Sequence, residues 1–340
     1  MVTNAFSSSA ERTQITAPSN TPRWAQRECA PAIVFNGNKS LAVQTLDLIE
    51  PGDEDVCVDV HWSGVSTGTE RLLWSGDMPP FPGLSYPLVP GYEAVGVVRH
   101  SVGNPELVGR SVFVPGAHCF KNASGLFGAS AAHLIVPVSR CILLDDEADQ
   151  EDILLALAAT AYHAIELGGA PELIVGHGVV GRLMARITIA MGHDAPTVWE
   201  INPDRIGETA YKVLHPDEDT RKDYASAADA SGSVAVLDQI IAHSRRGARI
   251  TLAGFYSDRP SFAFPAAFIR EISLHIAAEW GPTDLQAVLD LQRKGHLSFE
   301  ELVTHEHAPE NAGQAYTQAF EDPACLKMVL DWRAHHDHTD

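Results

Sequence analysis

From Ala32 to about Arg140, apolar residues come in short runs that alternate with polar ones and break at Gly, Pro, Asn or Asp. AIVF, SLAVQTLDL, VCVDVHWSGV, AVGVVRH, RSVFVPG and HLIVPVSR each fit a strand with one face buried. Short strands at such irregular spacing predict a compact, partly open barrel. The Pro/Gly-rich stretch SGDMPPFPGLSYPLVPG interrupts them, and a loop of that length in a compact domain is usually functional.

Near Asp149 the period changes. DQEDILLALAATAYHAIELGG carries Ala and Leu at helical spacing, acidic residues in its first turn and a Gly168-Gly169 stop. Beyond it the strands ELIVG, TVWE, YASAADASG, ARITLAGF and SLHIAAE alternate with helices at RLMARITIAMG, near DRIGETAYK and at VLDQIIAHSRRG. Alternation of this kind with apolar strands predicts an α/β domain, a doubly wound parallel sheet covered on both faces. A helix at DLQAVLDLQRKG and a mixed stretch ending in CLKMVLDW follow. The expected organisation is a polar leader (1–27), a barrel-like domain (28–150), a nucleotide-binding domain (151–295), a return to the first domain (296–334) and a frayed tail (335–340).

Composition narrows the function. With 340 residues, 45% hydrophobic and 20% charged, the chain has the make-up of a soluble two-domain protein, and no apolar run is long enough to insert stably in a membrane. The leader has no apolar core behind positive charges, so it does not read as a secretory signal. A net charge of −20 argues against a nucleic-acid partner, which needs a basic face. Cys29, Cys57, Cys119, Cys141 and Cys325 form no C-x2-C pair, which suits a reducing cytoplasm and thiols packed as small hydrophobes. The terminal HHDHTD has no partner ligand at a fixed spacing, so no metal is assigned to it.

Gly176-His177-Gly178-Val179-Val180-Gly181 follows a predicted strand and opens a predicted helix, the context that makes G-x-G-x-x-G a dinucleotide signal. Gly176 permits the tight turn, Gly178 lets the backbone approach a diphosphate, and Gly181 lets the helix pack on the strand. Glu200 ends the next strand, where a carboxylate accepts from ribose hydroxyls. Against a 2′-phosphate it would exert about 4 kcal/mol of repulsion at 4 Å and an effective dielectric near 20. NAD is therefore the expected cofactor, with Arg205 able to soften the discrimination. Ser231 and Gly254 end later strands and are expected at the nicotinamide half; His177 is read as a loop residue near phosphate.

A barrel followed by a late dinucleotide unit resembles the medium-chain dehydrogenase/reductase superfamily from about Ala32 to Trp332. That resemblance implies a GroES-like β-barrel catalytic domain plus a Rossmann domain, and a homodimer formed through the sheet edge. In zinc members a Gly-x-Cys turn, a Gly-His-Glu turn and a Cys entering the first long helix bind the catalytic metal. Here those segments read Gly64-Val65-Ser66, Gly91-Tyr92-Glu93 and Ala159-Thr160-Ala161. Neutral hydroxyls are poor zinc ligands beside thiolate and imidazole, and the four-cysteine lobe is missing, so no metal is expected. WSGVSTGTERLLWSGDMPPFPGLSYPLVPGYEAVGVV, VFVPGAHCF and GLFGASAAHLIVP are similar to the BchC family of bacteriochlorophyll-pathway dehydrogenases. That similarity implies oxidation of the 3-(1-hydroxyethyl) group of a bacteriochlorophyllide to 3-acetyl, in the cytoplasm or at the periphery of photosynthetic membranes.

Without a metal, side-chain oxygens must handle the alcohol proton. Tyr92 is expected to hydrogen-bond the carbinol oxygen, Ser66, Thr67 or Thr160 to relay the proton, and Glu93 or Glu70 to orient or accept. A tyrosine of pKa near 10 is a weak base at pH 7, so a perturbing neighbour is required, with His163 and His118 as candidates. Each residue also has a bland reading: structural carboxylates, a helix-face histidine, hydroxyls that cap or fill. Trp74, Phe127 and Trp280, with Trp62, Phe81 and Tyr86, are candidate walls for the macrocycle; Lys121 and Arg71 are candidate partners for its propionate. Two rival readings are a zinc-free enone or quinone reductase, which prefers NADPH, and a non-catalytic NAD-binding protein.

Overall fold

The computed structural model describes residues 29–80, 82–207, 209–256 and 259–336. The expected leader, Phe81 and the last four residues lie outside them. In the first domain the strands are β1 (Cys29–Gly37), β2 (Ser40–Asp47), β3 (Asp55–Val65), β4 (Ala94–Ser101), β5 (Ser111–Val114), β6 (His133–Pro137) and β7 (Ile142–Leu143), with a short helix α1 (Thr69–Ser75) after β3. The second domain runs α2 (Leu155–Gly168), β8 (Leu173–Val175), α3 (Val179–Ala190), β9 (Thr197–Trp199), β10 (Lys212–Leu214), β11 (Tyr224–Asp229), α4 (Leu237–His243), β12 (Ser244–Leu252), α5 (Phe264–Arg270), β13 (Ser273–Ile276) and α6 (Pro282–Arg293). The chain then makes β14 (His305–His307), α7 (Ala312–Glu321) and β15 (Met328–Asp331).

Strand β3 shows why the barrel forms. Its alternate residues Val56, Val58, Val60 and Trp62 are buried while Asp55, Cys57, Asp59 and His61 are only part-buried, the period-two signature read from the sequence. Each fully buried aliphatic side chain contributes about 1.5–3 kcal/mol, so a one-residue slip would put four apolar side chains on the wrong face. β3 pairs antiparallel with β4, β6 and β15, so a strand from the far end of the chain closes the first domain.

The second domain is a six-stranded parallel sheet in the order β10-β9-β8-β11-β12-β13. The order reverses between β8 and β11, which opens a crevice at their carboxyl ends where ligands bind in such sheets. Helix α2 joins the domains. Its small residues Ala156, Ala158, Ala159, Ala161 and Ala164 are all buried, in a core shared with Trp62, Val95 and Phe113 of the barrel, Ile174 of the parallel sheet and Leu183 of α3.

Four local expectations fail. The segment expected as a helix near DRIGETAYK makes only a single turn at Pro203–Arg205 before β10. The Arg205 carbonyl accepts from the His177 ring instead of a helical N–H, and Gly207 has poor helix propensity. Helix α4 stops at His243, because the Ser244 hydroxyl caps the Ile240 carbonyl (2.8 Å) and the following residues join the sheet in β12. Helices α5 and α7 fall in stretches to which no helix is assigned from the sequence, although α7 buries Ala312, Ala315, Tyr316 and Ala319 at helical spacing. The supposed frayed tail is packed at its start, where His336 is buried and donates from Nε2 to the Val60 carbonyl at 2.7 Å. The cysteines are all free thiols, and burial pushes Cys57, Cys119 and Cys141 up to about 12, so these three are inert; Cys29 is exposed.

Candidate active site

A cleft of about 2060 Å³ runs between the barrel and the carboxyl ends of the Rossmann strands. That exceeds the roughly 300–1,000 Å³ of a single-ligand site and suits a dinucleotide beside a large second ligand. Ser66, Thr67, Tyr92, Phe127 and Thr160 border it from the barrel and α2; Gly176 to Val180, Glu200, Arg205, Ser231, Gly254 and Trp280 border it from the other side.

The glycine turn has the geometry that a diphosphate needs. Gly176 has φ 93°, a value that favours glycine, and a Cβ on Gly181 would fall 1.9 Å from the Gly176 carbonyl oxygen. Helix and strand therefore touch through Gly181, which lies behind the cleft. A Cβ on Gly178 would meet only Arg205 Nη1 at 3.9 Å, so this backbone is open to a ligand. Gly178 is also the N-cap of α3 with no side-chain cap, leaving first-turn N–H groups for an anion. These features fit a dinucleotide.

Glu200 borders the cleft but is also the turn's strut. Its Oε2 accepts from the His177 N–H (2.9 Å), and its Oε1 accepts from the N–H groups of Ile201 and Asn202 (2.8 Å each). His177 is fully buried. Its Nδ1 donates to the Arg205 carbonyl (2.7 Å), which leaves Nε2 to accept from Tyr211 Oη (2.9 Å). Burial lowers this imidazole to about 4, so it is neutral and braces the loop rather than meeting phosphate as a cation. Arg205 donates from Nε to the Pro323 carbonyl (2.8 Å), tying the loop to the returning chain. The Asp229 carboxylate accepts from the Ser231 hydroxyl (2.6 Å) and from Tyr256 Oη (2.5 Å), anchoring the loop after β11.

On the barrel side the Tyr92 and Ser66 hydroxyls hydrogen-bond to each other at 2.7 Å. Gly91, at φ 97°, turns the chain to present Tyr92, and the Tyr92 ring packs edge-on against Phe127 at 5.2 Å. Phe127 itself sits at φ 72°, a conformation uncommon for an aromatic residue and characteristic of positions held by their surroundings. Behind them, Glu70 accepts from the Ser66 N–H (3.2 Å) and from Tyr316 Oη of α7 (2.6 Å). Glu93 forms a fully buried ion pair with Lys327. Gly64 makes room for that pair, because a Cβ there would fall 2.4 Å from Glu93 Oε2 and 2.9 Å from Lys327 Cε.

The electrostatics change the expected roles. Burial, then the adjacent Glu93 carboxylate, holds the Tyr92 phenol above its ordinary value, so no neighbour activates it as a base. Burial pushes Glu70 up to about 7 against its hydrogen bond from Tyr316, and burial likewise raises Glu93 against the attraction of Lys327. Thr160 borders the cleft but donates to the Ala156 carbonyl of its own helix (2.9 Å). His163 lies outside the cleft lining, with Nδ1 3.1 Å from Asp284 of α6, whereas His118 and Arg71 border it. Trp74, Trp62, Tyr86 and Lys121 are also outside the lining. Trp74 stacks on Phe320, Trp62 lies under the Arg333 guanidinium, and Tyr86 bonds the Leu73 carbonyl. Lys327 and Tyr316 escaped sequence reasoning, since nothing local marks residues 234 and 246 positions from their partners.

A parallel sheet with a reversed strand order, a glycine turn with no side-chain cap and a barrel closed by the returning chain define a two-domain fold of the dinucleotide-binding type, with one cleft between its parts. No family model matches the chain. It is 47% identical over 306 residues to the 2-desacetyl-2-hydroxyethyl bacteriochlorophyllide A dehydrogenase of Rhodobacter capsulatus, covering 88% of this chain and 98% of the relative. The protein of the same name from Cereibacter sphaeroides is 46% identical over 314 residues, covering 89% and 98%. A solved structure described as a short chain alcohol dehydrogenase of Escherichia coli CFT073, complexed with NADH, superposes with a TM-score of 0.77 at 18% identity, covering 89% of this chain and 99% of its own. The chain belongs to the family of 2-desacetyl-2-hydroxyethyl bacteriochlorophyllide A dehydrogenases.

Proposed function

We propose that the chain oxidises the ring-borne hydroxyethyl group of a bacteriochlorophyllide to an acetyl group, with NAD as cofactor. The observation that carries the chemistry is the Tyr92–Ser66 hydroxyl pair, facing the glycine turn across one cleft with room for two ligands. The substrate follows from the names of the relatives. NAD, when bound, supplies the hydride acceptor. Gly176, Gly178 and the first turn of α3 hold its diphosphate, and Glu200 meets the adenosine ribose. Tyr92 and Ser66 hold the carbinol oxygen, and its proton passes along their shared hydrogen bond to water in the cleft as the carbon–hydrogen bond breaks. Phe127 and Trp280 flank the macrocycle. The direct test is an assay with NAD and the hydroxyethyl substrate, following NADH formation and the shift of the chlorin absorption as the carbonyl conjugates with the ring. Binding of NAD without turnover, or turnover only of a quinone or enone with NADPH, would overturn the reading.

Two further outcomes follow. Glu70, with its carboxyl raised to about 7, carries a proton at pH 6 and a charge at pH 8. A negative charge behind Ser66 increases the proton affinity of the hydroxyl pair, so kcat/KM for the alcohol should rise with pH through about 7 and then level off. Glu70→Gln should flatten that limb; an unchanged profile would remove Glu70 from this role. Glu200→Ala should lower the preference for NAD over NADP by about tenfold or more, because the repulsion of a 2′-phosphate is gone. The ratio of kcat/KM values for the two cofactors reads it.

A homodimer is part of the same reading. β13 ends the sheet, and Phe264, Phe268, Ile269 and Ile276 on α5 and β13 are 66%, 68%, 70% and 75% exposed. An open, apolar sheet edge is a template for a second strand. Ile276→Lys should halve the mass seen by light scattering; a wild-type monomer at micromolar concentration would rule the dimer out. Among the described residues no helix is long and apolar enough to cross a membrane.

A further inference from the structure

On the outer face of the barrel, away from the cleft, three potential ligands from distant parts of the chain converge. Asp59 lies in the middle of β3, His133 opposite it in the paired register of β6, and His336 just beyond β15. Their ligating atoms all lie within 4.8 Å of one another. None of the three borders the cleft. His133 Nδ1 is 2.8 Å from Asp59 Oδ1, and His336 Nδ1 is 3.9 Å from Asp59 Oδ2.

His336 is the informative member. Only 8% exposed, it donates from Nε2 to the Val60 carbonyl at 2.7 Å, and a carbonyl oxygen can only accept. The proton is thereby placed on Nε2, so Nδ1 presents a lone pair toward the Asp59 side. That nitrogen is buried and has no hydrogen-bond partner. A buried acceptor without a donor costs about 1–3 kcal/mol. A ring whose far N–H is held by a backbone carbonyl while its other nitrogen points at a carboxylate is the arrangement that orients metal-binding histidines.

We propose that Asp59, His133 and His336 bind a divalent transition-metal ion, with zinc as the best match, that clasps the end of the chain to the barrel. Two imidazoles and one carboxylate suit zinc and its first-row neighbours better than magnesium or calcium, which take oxygen ligands. Ligands at about 2.0–2.1 Å in a tetrahedron stand roughly 3.4 Å apart. The observed 2.8 and 3.9 Å, to the two oxygens of Asp59, lie on either side of that spacing, and with all three ligating atoms within 4.8 Å of one another, side-chain shifts of about an ångström complete the site. Metal entry displaces the proton shared by His133 and Asp59, and water fills the remaining position. Among the described residues Arg99 competes: its Nε reaches Asp59 Oδ2 at 3.0 Å, but its side chain is 50% exposed and has water to swing into. The net charge of −20 favours a cation throughout.

The test uses the full chain, stripped with a chelator and titrated with Co²⁺, whose visible bands report tetrahedral coordination, and with Zn²⁺. The expected result is one equivalent bound at micromolar or lower concentration, with a melting temperature several degrees higher in zinc. His336→Ala and His133→Gln should each weaken binding at least tenfold while alcohol turnover stays within about twofold, since neither borders the cleft. Wild-type protein with no cobalt bands and no zinc-dependent melting shift at 100-fold excess would overturn the proposal. Bands of full strength in His336→Ala would also overturn it, by placing the metal elsewhere. The wild-type titration decides even where a variant folds poorly.

Discussion

Replacing Lys327 with methionine is expected to destabilise the catalytic domain by about 3–5 kcal/mol, the usual effect of removing one partner from a buried ion pair. Lys327 and Glu93 are each only 1% exposed, and Glu93 Oε1 already has no hydrogen-bond partner. Without the ammonium, the carboxylate would keep an unpaired charge in the core or take up a proton. Removing both charges with Lys327→Met and Glu93→Gln should recover much of the loss, because two charges no longer need desolvation. Urea unfolding of the two variants, followed by tryptophan fluorescence, measures the difference. A single variant as stable as wild type would show that the pair does not hold the turn bearing Tyr92.

Removing the hydroxyl pair should have the largest effect on rate. Tyr92→Phe and Ser66→Ala are each expected to lower kcat for alcohol oxidation by about 10²–10⁴-fold, the range for loss of a positioned proton-transfer group. NAD binding should stay within about twofold, because the glycine turn lies on the opposite side of the cleft. The double variant should be little worse than either single one, since the two hydroxyls share one hydrogen bond and act as a unit. Turnover and pH profile that survive Tyr92→Phe unchanged would remove Tyr92 from the mechanism. A tyrosine held above its ordinary pKa is a donor and relay rather than a base, so the pH limb belongs to Glu70 acting through the hydroxyl pair and should be lost in Ser66→Ala.

Much of the fold was legible locally, because hydrophobic period and glycine placement report local backbone geometry. The strand β3 and the Gly176–Gly181 turn occur where their patterns put them. The helix expected near DRIGETAYK failed for the opposite reason. Its conformation depends on a long-range bond, the His177 ring on the Arg205 carbonyl, that no propensity records. The candidate site divides in the same way. Ser66, Tyr92 and Phe127 stand in recognisable motifs and meet in the cleft, whereas Trp74 looked like a wall and packs on Phe320 instead.

The sequence by itself determined the two-domain α/β architecture, the glycine turn between β8 and α3, and the hydroxyls of Ser66, Tyr92 and Thr160 that border the cleft. Those properties depend on residue type and on spacings within one turn or one strand. Tertiary structure alone decided which charges are paired. Lys327 reaches Glu93, Tyr316 reaches Glu70 and His336 reaches Asp59 because β15 and the segments around it return across the barrel. Burial and charge proximity set the state of an ionisable group, and both depend on neighbours hundreds of residues away in the chain.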